Sequence, residues 1–319
     1  MKKIAVLTSG GDAPGMNAAI RAVVRTGIYY DLKVVGVRRG YAGLIEQDFI
    51  PLKLGSVADI IQRGGTILLT ARCDEFFTEE GRQKAVANLQ QEGIEGLVVL
   101  GGDGSFRGAL EIDKLGIPVI GIPCTIDNDI PCTSATIGFD TVVNTVLDAI
   151  NKIRDTATSH ERVFVIEVMG RRSGFIALKA GLAGGAESIM IPEAPLKVDD
   201  IIKNIQRGLK RGKKHSIIVI AEGAADACEV TKEIETKTGL ETRLSILGYI
   251  QRGGTPTAQD RMLASRMGSE AVQLLLRGQR KKMLALDGDK IRNFDLDWAV
   301  NQSKTVSLED LQLADMLSI

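Results

Sequence analysis

Apolar, β-branched runs punctuate the chain at Ile4 to Leu7, Val34 to Val37, Leu97 to Leu100, Val119 to Ile122, Val163 to Val168, Ser216 to Ile220 and Arg243 to Ile246. Short continuous runs of this kind predict strands buried on both faces, as in parallel sheets. Stretches with helical spacing lie between most of them. From Met16 to Tyr30, the apolar residues Met16, Ala19, Ile20, Val23 and Val24 fall on one face, and Arg21 and Arg25 share a polar face one turn apart. Asp140 to Arg154 and Thr257 to Leu276 read the same way. This alternation predicts an α/β fold with mostly parallel sheets covered by helices on both faces.

Glycine pairs gather where the strands end: Gly10-Gly11, Gly64-Gly65, Gly101-Gly102, Gly184-Gly185 and Gly253-Gly254. Any one pair is compatible with a tight turn. Their recurrence at carboxyl ends of strands, where open parallel sheets bind ligands, favours a backbone that must be approached closely.

Length and charge narrow the classes. The chain of 319 residues suits two domains of ordinary size, and 40 basic residues balance 40 acidic ones. No long-range field for nucleic acid or an anionic membrane is expected, so any anion site must be local. Cys73, Cys124, Cys132 and Cys228 show no CxxC spacing, and the N-terminus has no long apolar run, which points to a reduced cytoplasm. With His160 and His215 as the only histidines, acid–base work falls on carboxylates.

Three loops carry candidate chemistry. Thr8 to Asn17 (TSGGDAPGMN) joins the first strand to a helix, where bare N–H groups and the helix dipole suit phosphate oxygens. It matches neither GxGxxG nor GxxxxGK[ST], so the phosphate reading rests on loop chemistry. Gly101 to Ser105 (GGDGS) sets Asp103 beside glycines, either as a magnesium-bearing carboxylate or as a cap on the following helix. Thr125-Ile126-Asp127-Asn128-Asp129 opens from an apolar run into acids and a hydroxyl and reads as a catalytic edge poorly suited to a core. Adjacent parallel strands would bring Asp103 and Asp127 to one cleft.

Phosphoryl transfer asks for alignment, cations around the moving group and a base for the attacking hydroxyl. Asp127 fits the base, Thr125 and Asp129 fit orienting roles, and Arg72 and Arg171 fit the cations. Arg162, Arg243 and Arg252 lie beside strand ends or glycines and suit a phosphate, or a surface ion pair. The basic run Lys210 to His215 reads as a solvated helix end, with a local anion site as the alternative; Arg277, Arg280, Lys281 and Lys282 read as ordinary surface charge.

Thr8 to Asn17, Gly101 to Ser105, Pro123 to Asp129 (PCTIDND), Lys152 to His160 (KIRDTATSH), Met169 to Arg171 and Gln251 to Pro256 (QRGGTP) together resemble the bacterial ATP-dependent 6-phosphofructokinase family over nearly the whole chain. The resemblance implies two doubly wound, three-layer α/β domains: 1–138 with 252–304 as a larger ATP-binding domain, and 139–251 with 305–319 as a smaller sugar-phosphate-binding one. It implies a glycolytic phosphotransferase that moves the ATP γ-phosphoryl group to the 1-hydroxyl of fructose 6-phosphate. ATP would meet Gly11, Tyr41, Arg72, Cys73, Gly102, Asp103, Gly104 and Ser105, with Asp103 placing Mg2+. The sugar phosphate would meet Thr125, Ile126, Asp127, Arg162, Met169, Gly170, Arg171, Glu222, Arg243, Tyr249, Ile250, Gln251 and Arg252. Because the family's counterparts of Arg162 and Arg243 reach across from a neighbouring subunit, a homotetramer is implied. An effector site for ADP or phosphoenolpyruvate would use Arg21, Arg25, Asp59, Arg154, Gly185, Glu187, Arg211 and Lys213.

Several positions depart from the family pattern. Cys124 stands where the ATP-using branch usually has glycine and the pyrophosphate-using branch usually has lysine, so this position does not settle the donor. Gly104 favours ATP, since pyrophosphate users carry aspartate there. Tyr249 replaces a histidine that contacts the sugar's 6-phosphate, which bears on substrate affinity. Phe175 and Ser134 replace acids, with no physical account from sequence. A kinase using pyrophosphate or another phosphosugar, and a catalytically weak regulatory paralogue, are the rival readings.

Overall fold

Residues 1–318 are described in a computed structural model of the protein. The chain divides into two units, Met1–Thr141 with Arg252–Lys304, and Val142–Gln251 with the chain from Thr305 on.

The first unit holds strands β1 (Lys3–Thr8), β2 (Lys33–Val37), β3 (Phe49–Leu52), β4 (Leu97–Gly101), β5 (Val119–Pro123) and, later in the chain, β10 (Lys282–Asp287) and β11 (Lys290–Asp295). Its helices are α1 (Met16–Tyr29), α2 (Tyr41–Glu46), α3 (Glu79–Gln91), α4 (Asp103–Lys114), the start of α5 (Phe139–His160), α9 (Ala258–Leu276) and α10 (Leu296–Ala299). The second unit continues α5 and adds β6 (Val163–Val168), β7 (Ser188–Met190), β8 (Ser216–Ala221) and β9 (Thr242–Ile246). Its other helices are α6 (Phe175–Ala183), α7 (Val198–Lys210), α8 (Ala227–Thr238) and α11 (Leu308–Leu317).

In the first unit the seven strands run in the order β11-β10-β5-β4-β1-β2-β3. The centre is parallel, and the antiparallel pairs β2–β3 and β10–β11 lie at the two edges. Every residue of β4 and β5 is buried, which is why these strands read as unbroken apolar runs. The edge strands were not predicted from sequence. β3 carries Pro51, and β11 exposes most of its residues, so neither has the signature of a buried strand. In the second unit the order is β7-β8-β6-β9, all parallel.

The sheet order places β2 on one side of β1 and β4 on the other. That reversal is a topological switch point, and it leaves the loops after β1 and β4 on either side of a crevice at the carboxyl edge.

Candidate active site

The loops after β1, β4 and β5 start level with one another. Thr8 pairs with Leu100 and Gly101 with Pro123 in register; the Ser9 N–H donates to the Leu100 carbonyl at 2.9 Å, and the Cys124 N–H to the Gly101 carbonyl at 2.9 Å. Three polar loops therefore emerge from three adjacent strand ends.

The glycine loop after β1 is clasped by residues 63–70, a connection that sequence alone left unassigned. Asn17 donates through Nδ2 to the carbonyls of Arg63 and Gly64, both at 3.1 Å, and accepts from the Ile67 N–H at 2.7 Å. The Thr70 hydroxyl donates to the Gly10 carbonyl at 2.7 Å. From this clasp the chain runs on to Arg72, which is exposed, and to Cys73, which packs partly buried against the core.

A side chain at Gly11 would displace Arg252, because a Cβ there would lie 2.1 Å from Arg252 Nη1. Arg252 Nη1 also donates to the Asp12 carbonyl at 3.3 Å, so its guanidinium is laid across this loop.

After β4, Gly102 is the cap residue of α4, and Asp103 is the first helical residue. The capping alternative for Asp103 is thereby set aside: its carboxylate is half-exposed and pairs with Arg107 Nε one turn on, at 2.9 Å. A Cβ built on Gly102 or Gly104 would meet nothing within 4 Å, so protein packing does not demand glycine at either position. Ser105 is buried, with its Oγ 3.3 Å from a Cβ built on Gly10 and 2.4 Å from one on Gly101. Tyr41 is buried too; its hydroxyl donates to the Ser105 carbonyl at 2.5 Å, and its ring stacks on Phe76 with centroids 4.1 Å apart. Burial pushes the Tyr41 phenol far above its ordinary range, so it stays a neutral donor.

The loop after β5 departs from expectation. Ile126, Asp127 and Asn128 are buried, Asp127 to 2% exposure. The Thr125 carbonyl, the Asp127 N–H and the Asn128 amide side chain of this polar loop find their partners locally. The Asp127 N–H donates to Thr125 Oγ1 at 3.2 Å, and the Thr136 hydroxyl donates to the Thr125 carbonyl at 2.6 Å. Asn128, at φ 52°, accepts from the Thr136 N–H at 3.0 Å and donates to the Ser134 carbonyl at 3.3 Å. That bond, and the Ser134 hydroxyl's donation to the Leu286 carbonyl at 2.9 Å, give Ser134 a structural occupation. Cys124 is buried, which pushes its thiol well up, with the Asp260 charge adding to the effect. Lys304 was missed from sequence. Burial brings its pKa down to about 8, opposed by the nearby charge of Asp129.

In the second unit the loops after β6 and β8 interlock. Glu222 Oε1 accepts from the Gly170 and Arg171 N–H groups at 3.2 and 2.7 Å. A Cβ on Gly223 would stand 2.0 Å from the Arg171 carbonyl oxygen. Gln251 is wholly buried; it accepts from the Met169 N–H at 3.2 Å and donates to the Gly248 carbonyl at 3.0 Å. Glu222 and Gln251 thus shape the Met169 to Arg171 turn, in which both Gly170 and Arg171 have positive φ. Burial, with the charges of Glu222 and Asp226, raises the pKa of Glu167.

Arg162 and Arg243 meet on one carboxylate. Arg162 Nε lies 2.6 Å from Glu241 Oε2, and Arg243 pairs with the other oxygen. The Glu241 carboxyl is accordingly held below its usual range, chiefly by Arg162. Tyr249 and Ile250 are exposed, Tyr249 to 83%. Phe175 is buried at the start of α6.

Four of the expected effector residues converge in the second unit. Arg154 donates to the Gly184 and Gly185 carbonyls, and Lys213 pairs with the buried carboxylate of Glu187. Lys213 is therefore folded back instead of standing at a solvated helix end. Burial and the Arg154 charge lower its pKa, and burial with Lys213 and Arg154 lowers that of His215. Arg211 is exposed just past α7, while Arg21, Arg25 and Asp59 belong to the first unit, on α1 and in the loop after β3. Arg277, Arg280, Lys281 and Lys282 are engaged in ion pairs with Glu270, Asp113, Asp297 and Asp295, as ordinary surface charge would be.

Comparison with known proteins places this geometry. The family model described as Phosphofructokinase matches residues 3–275. The ATP-dependent 6-phosphofructokinase of Halothermothrix orenii is 63% identical over 332 aligned positions, and that of Bacillus subtilis 59% over 319, each covering 100% of both chains. Among solved structures, phosphofructokinase from Saccharomyces cerevisiae superposes with a TM-score of 0.90 at 37% identity; all of this chain is matched, against 48% of the yeast chain. A pyrophosphate-dependent phosphofructokinase from Marinobacter aquaeolei shares the fold, with a TM-score of 0.88 at 23% identity over 100% of this chain and 92% of that one.

Proposed function

The chain belongs to the phosphofructokinase family, and from that premise we propose that it transfers the γ-phosphoryl group of Mg-ATP to the 1-hydroxyl of fructose 6-phosphate, giving fructose 1,6-bisphosphate and ADP. The observation that carries this reading is the delivery of the Asp103 turn and the Asp127 loop to the ends of parallel neighbours β4 and β5, beside the glycine loop of β1.

In this reading the first unit binds the nucleotide. Gly11, Gly102 and Gly104 let phosphates approach the backbone, Ser105 supports that turn, and Tyr41 holds Ser105 from below. Arg72 and Cys73 complete the nucleotide contacts. The open space at Gly104 leaves room for an inner phosphate, which favours ATP over pyrophosphate as donor. Asp103 fits a magnesium ion. It is a half-exposed carboxylate beside open backbone, and no cluster of three acidic, histidine or cysteine side chains occurs among the described residues. Such a site suits an ion carried mainly on substrate phosphates, and that ion would neutralise the charge of the phosphate oxygens.

Asp127 accepts the proton of the attacking hydroxyl, with Thr125 fixing its backbone and Asp129 orienting its neighbours. Arg72 and Arg171 offset negative charge on the moving phosphoryl group. The sugar phosphate is held by Thr125 to Asp127, Met169 to Arg171, Glu222, Tyr249 to Gln251 and Arg252, together with Arg162 and Arg243 from a neighbouring copy in a homotetramer. An effector, ADP or phosphoenolpyruvate, would be bound by Arg21, Arg25, Asp59, Arg154, Gly185, Glu187, Arg211 and Lys213. The setting is the cytoplasm.

Assay of the purified chain with ATP or pyrophosphate, each against fructose 6-phosphate and tagatose 6-phosphate, tests the reading. Turnover with ATP and fructose 6-phosphate is expected. Turnover with pyrophosphate alone would overturn the donor, and ATP binding without turnover on any phosphosugar would replace the enzyme with a regulator.

A further inference from the structure

Asp260 lies in the first turn of α9, more than a hundred residues from the catalytic loop, and is 1% exposed. Its carboxylate is tied wholly to the start of α5. The Gly138 N–H donates to Oδ1 at 2.9 Å, while the Thr141 N–H and hydroxyl donate to Oδ2 at 2.8 and 2.5 Å. The helix N-termini answer each other: the Thr257 N–H donates to Thr141 Oγ1 at 3.0 Å, and the Thr257 hydroxyl to Asp140 at 2.6 Å. A carboxylate taking three donors at a helix start is well placed electrostatically, yet burial raises its pKa against the opposing pull of those donors.

Two residues before Gly138, the same segment grips the catalytic loop. Thr136 binds the Thr125 carbonyl and Asn128, and the Thr125 N–H donates to the Ile137 carbonyl at 3.1 Å. Residues 136–138 are thus a three-residue link, with the Asp127 loop on one side and Asp260 on the other. The link has little freedom. Gly138 sits at φ 105° with a Cβ position 2.8 Å from Ala13 Cβ, and Ile137 Cγ2 lies 2.6 Å from the Cβ position of Gly15.

We propose that Asp260 is a positioning residue for the reaction, holding the 136–138 link so that the Thr125–Asp129 loop keeps the Asp127 carboxylate in register with the acceptor hydroxyl. The proposal rests on Asp127 being the base, as read above. Its physical basis is the sensitivity of proton transfer and in-line attack to displacements of about 1 Å, which can lower turnover on the order of 10²-fold.

The test uses the full-length protein and two substitutions. Asp260→Asn keeps the shape but turns an NH2 group toward N–H or O–H donors, since an amide has one accepting atom. Thr141→Val removes one donor to Asp260 and the acceptor of the Thr257 N–H, and Thr141→Ser restores both. Folded Asp260→Asn is expected to lose turnover by about 10-fold or more with KM for ATP and sugar phosphate within about twofold of the parent. Thr141→Val should lose about three- to tenfold, and Thr141→Ser should recover it. Should Asp260→Asn not fold, the Val and Ser pair at Thr141 decides the matter alone. Unchanged kcat in folded variants, with only the melting temperature lowered, would overturn the proposal and leave Asp260 a structural cap. Asp127→Ser assayed in parallel separates the two readings: if it is inactive while Asp260→Asn is fully active, only the positioning role falls, and if it is active, the base assignment falls first.

Discussion

Gly11→Ala probes the contact between the glycine loop and Arg252. The added Cβ would stand 2.1 Å from Arg252 Nη1, whereas ordinary contact begins at 3.4 Å, so the guanidinium must retreat by about 1.3 Å. Because the clashing atom is the tip of a flexible side chain, folding stability should change by less than about 1 kcal/mol. Binding should suffer more. The retreat breaks the 3.3 Å bond to the Asp12 carbonyl and moves the guanidinium from the position assigned to the sugar phosphate. A charge-assisted hydrogen bond is worth about 1.5–3 kcal/mol, so KM for fructose 6-phosphate should rise about 10- to 100-fold. Since Gly11 is also assigned to ATP, the assay is a double-mutant cycle with Arg252→Ala, read in KM for each substrate at saturating levels of the other. If Gly11 acts through Arg252, adding Gly11→Ala to Arg252→Ala raises KM for the sugar phosphate little further. Fully additive losses, or an unchanged KM in the single variant, would refute the reasoning.

Lys304→Met removes a buried ammonium whose folded pKa of about 8 lies below the ordinary 10.5. Between those pH values the unfolded chain binds the extra proton, so the parent gains stability as pH rises through this window, on the order of 3 kcal/mol, and bears the full penalty below it. Denaturant titrations from pH 7 to 10.5 should therefore show the Met variant relatively most stable at pH 7; a pH-independent difference between the two proteins counts against this burial. Arg162→Ala and Arg243→Ala should each raise KM for fructose 6-phosphate about tenfold or more while leaving KM for ATP near the parent value, and unchanged saturation curves would remove them from the site. Asp103→Asn should raise the magnesium concentration needed for half-maximal rate and cut kcat on the order of 10-fold or more, whereas an unaltered magnesium titration would free Asp103 of that role.

The buried strands were legible in the sequence because β1, β4, β5, β6 and β8 face apolar surroundings on both sides and so contain unbroken apolar runs. The pairing of the Asp103 and Asp127 loops followed from adjacent parallel strands, which the register bears out. Of the edges, β9 was legible as the run Arg243 to Ile246, whereas β3, β7 and the β10–β11 hairpin were not. β7 has only three residues, and the β10–β11 hairpin is laden with charge because one of its strands faces solvent. Burial of the Asp127 loop was missed because its partners Ser134 and Thr136 carry no sequence mark of their purpose. Asp260 reads locally as an ordinary first-turn acid after the N-cap Thr257, and its bonds to Gly138 and Thr141 are purely tertiary. Glu241, which gathers Arg162 and Arg243, was hidden for the same reason.

Turnover of Asp127→Ser at saturating ATP and fructose 6-phosphate tests the central claim most directly, because it removes the carboxylate and little else. A fall in kcat on the order of 10² or more, with KM values and melting temperature close to the parent, is the expected result. Near-parental kcat in the folded variant would contradict the assignment of Asp127 as the base.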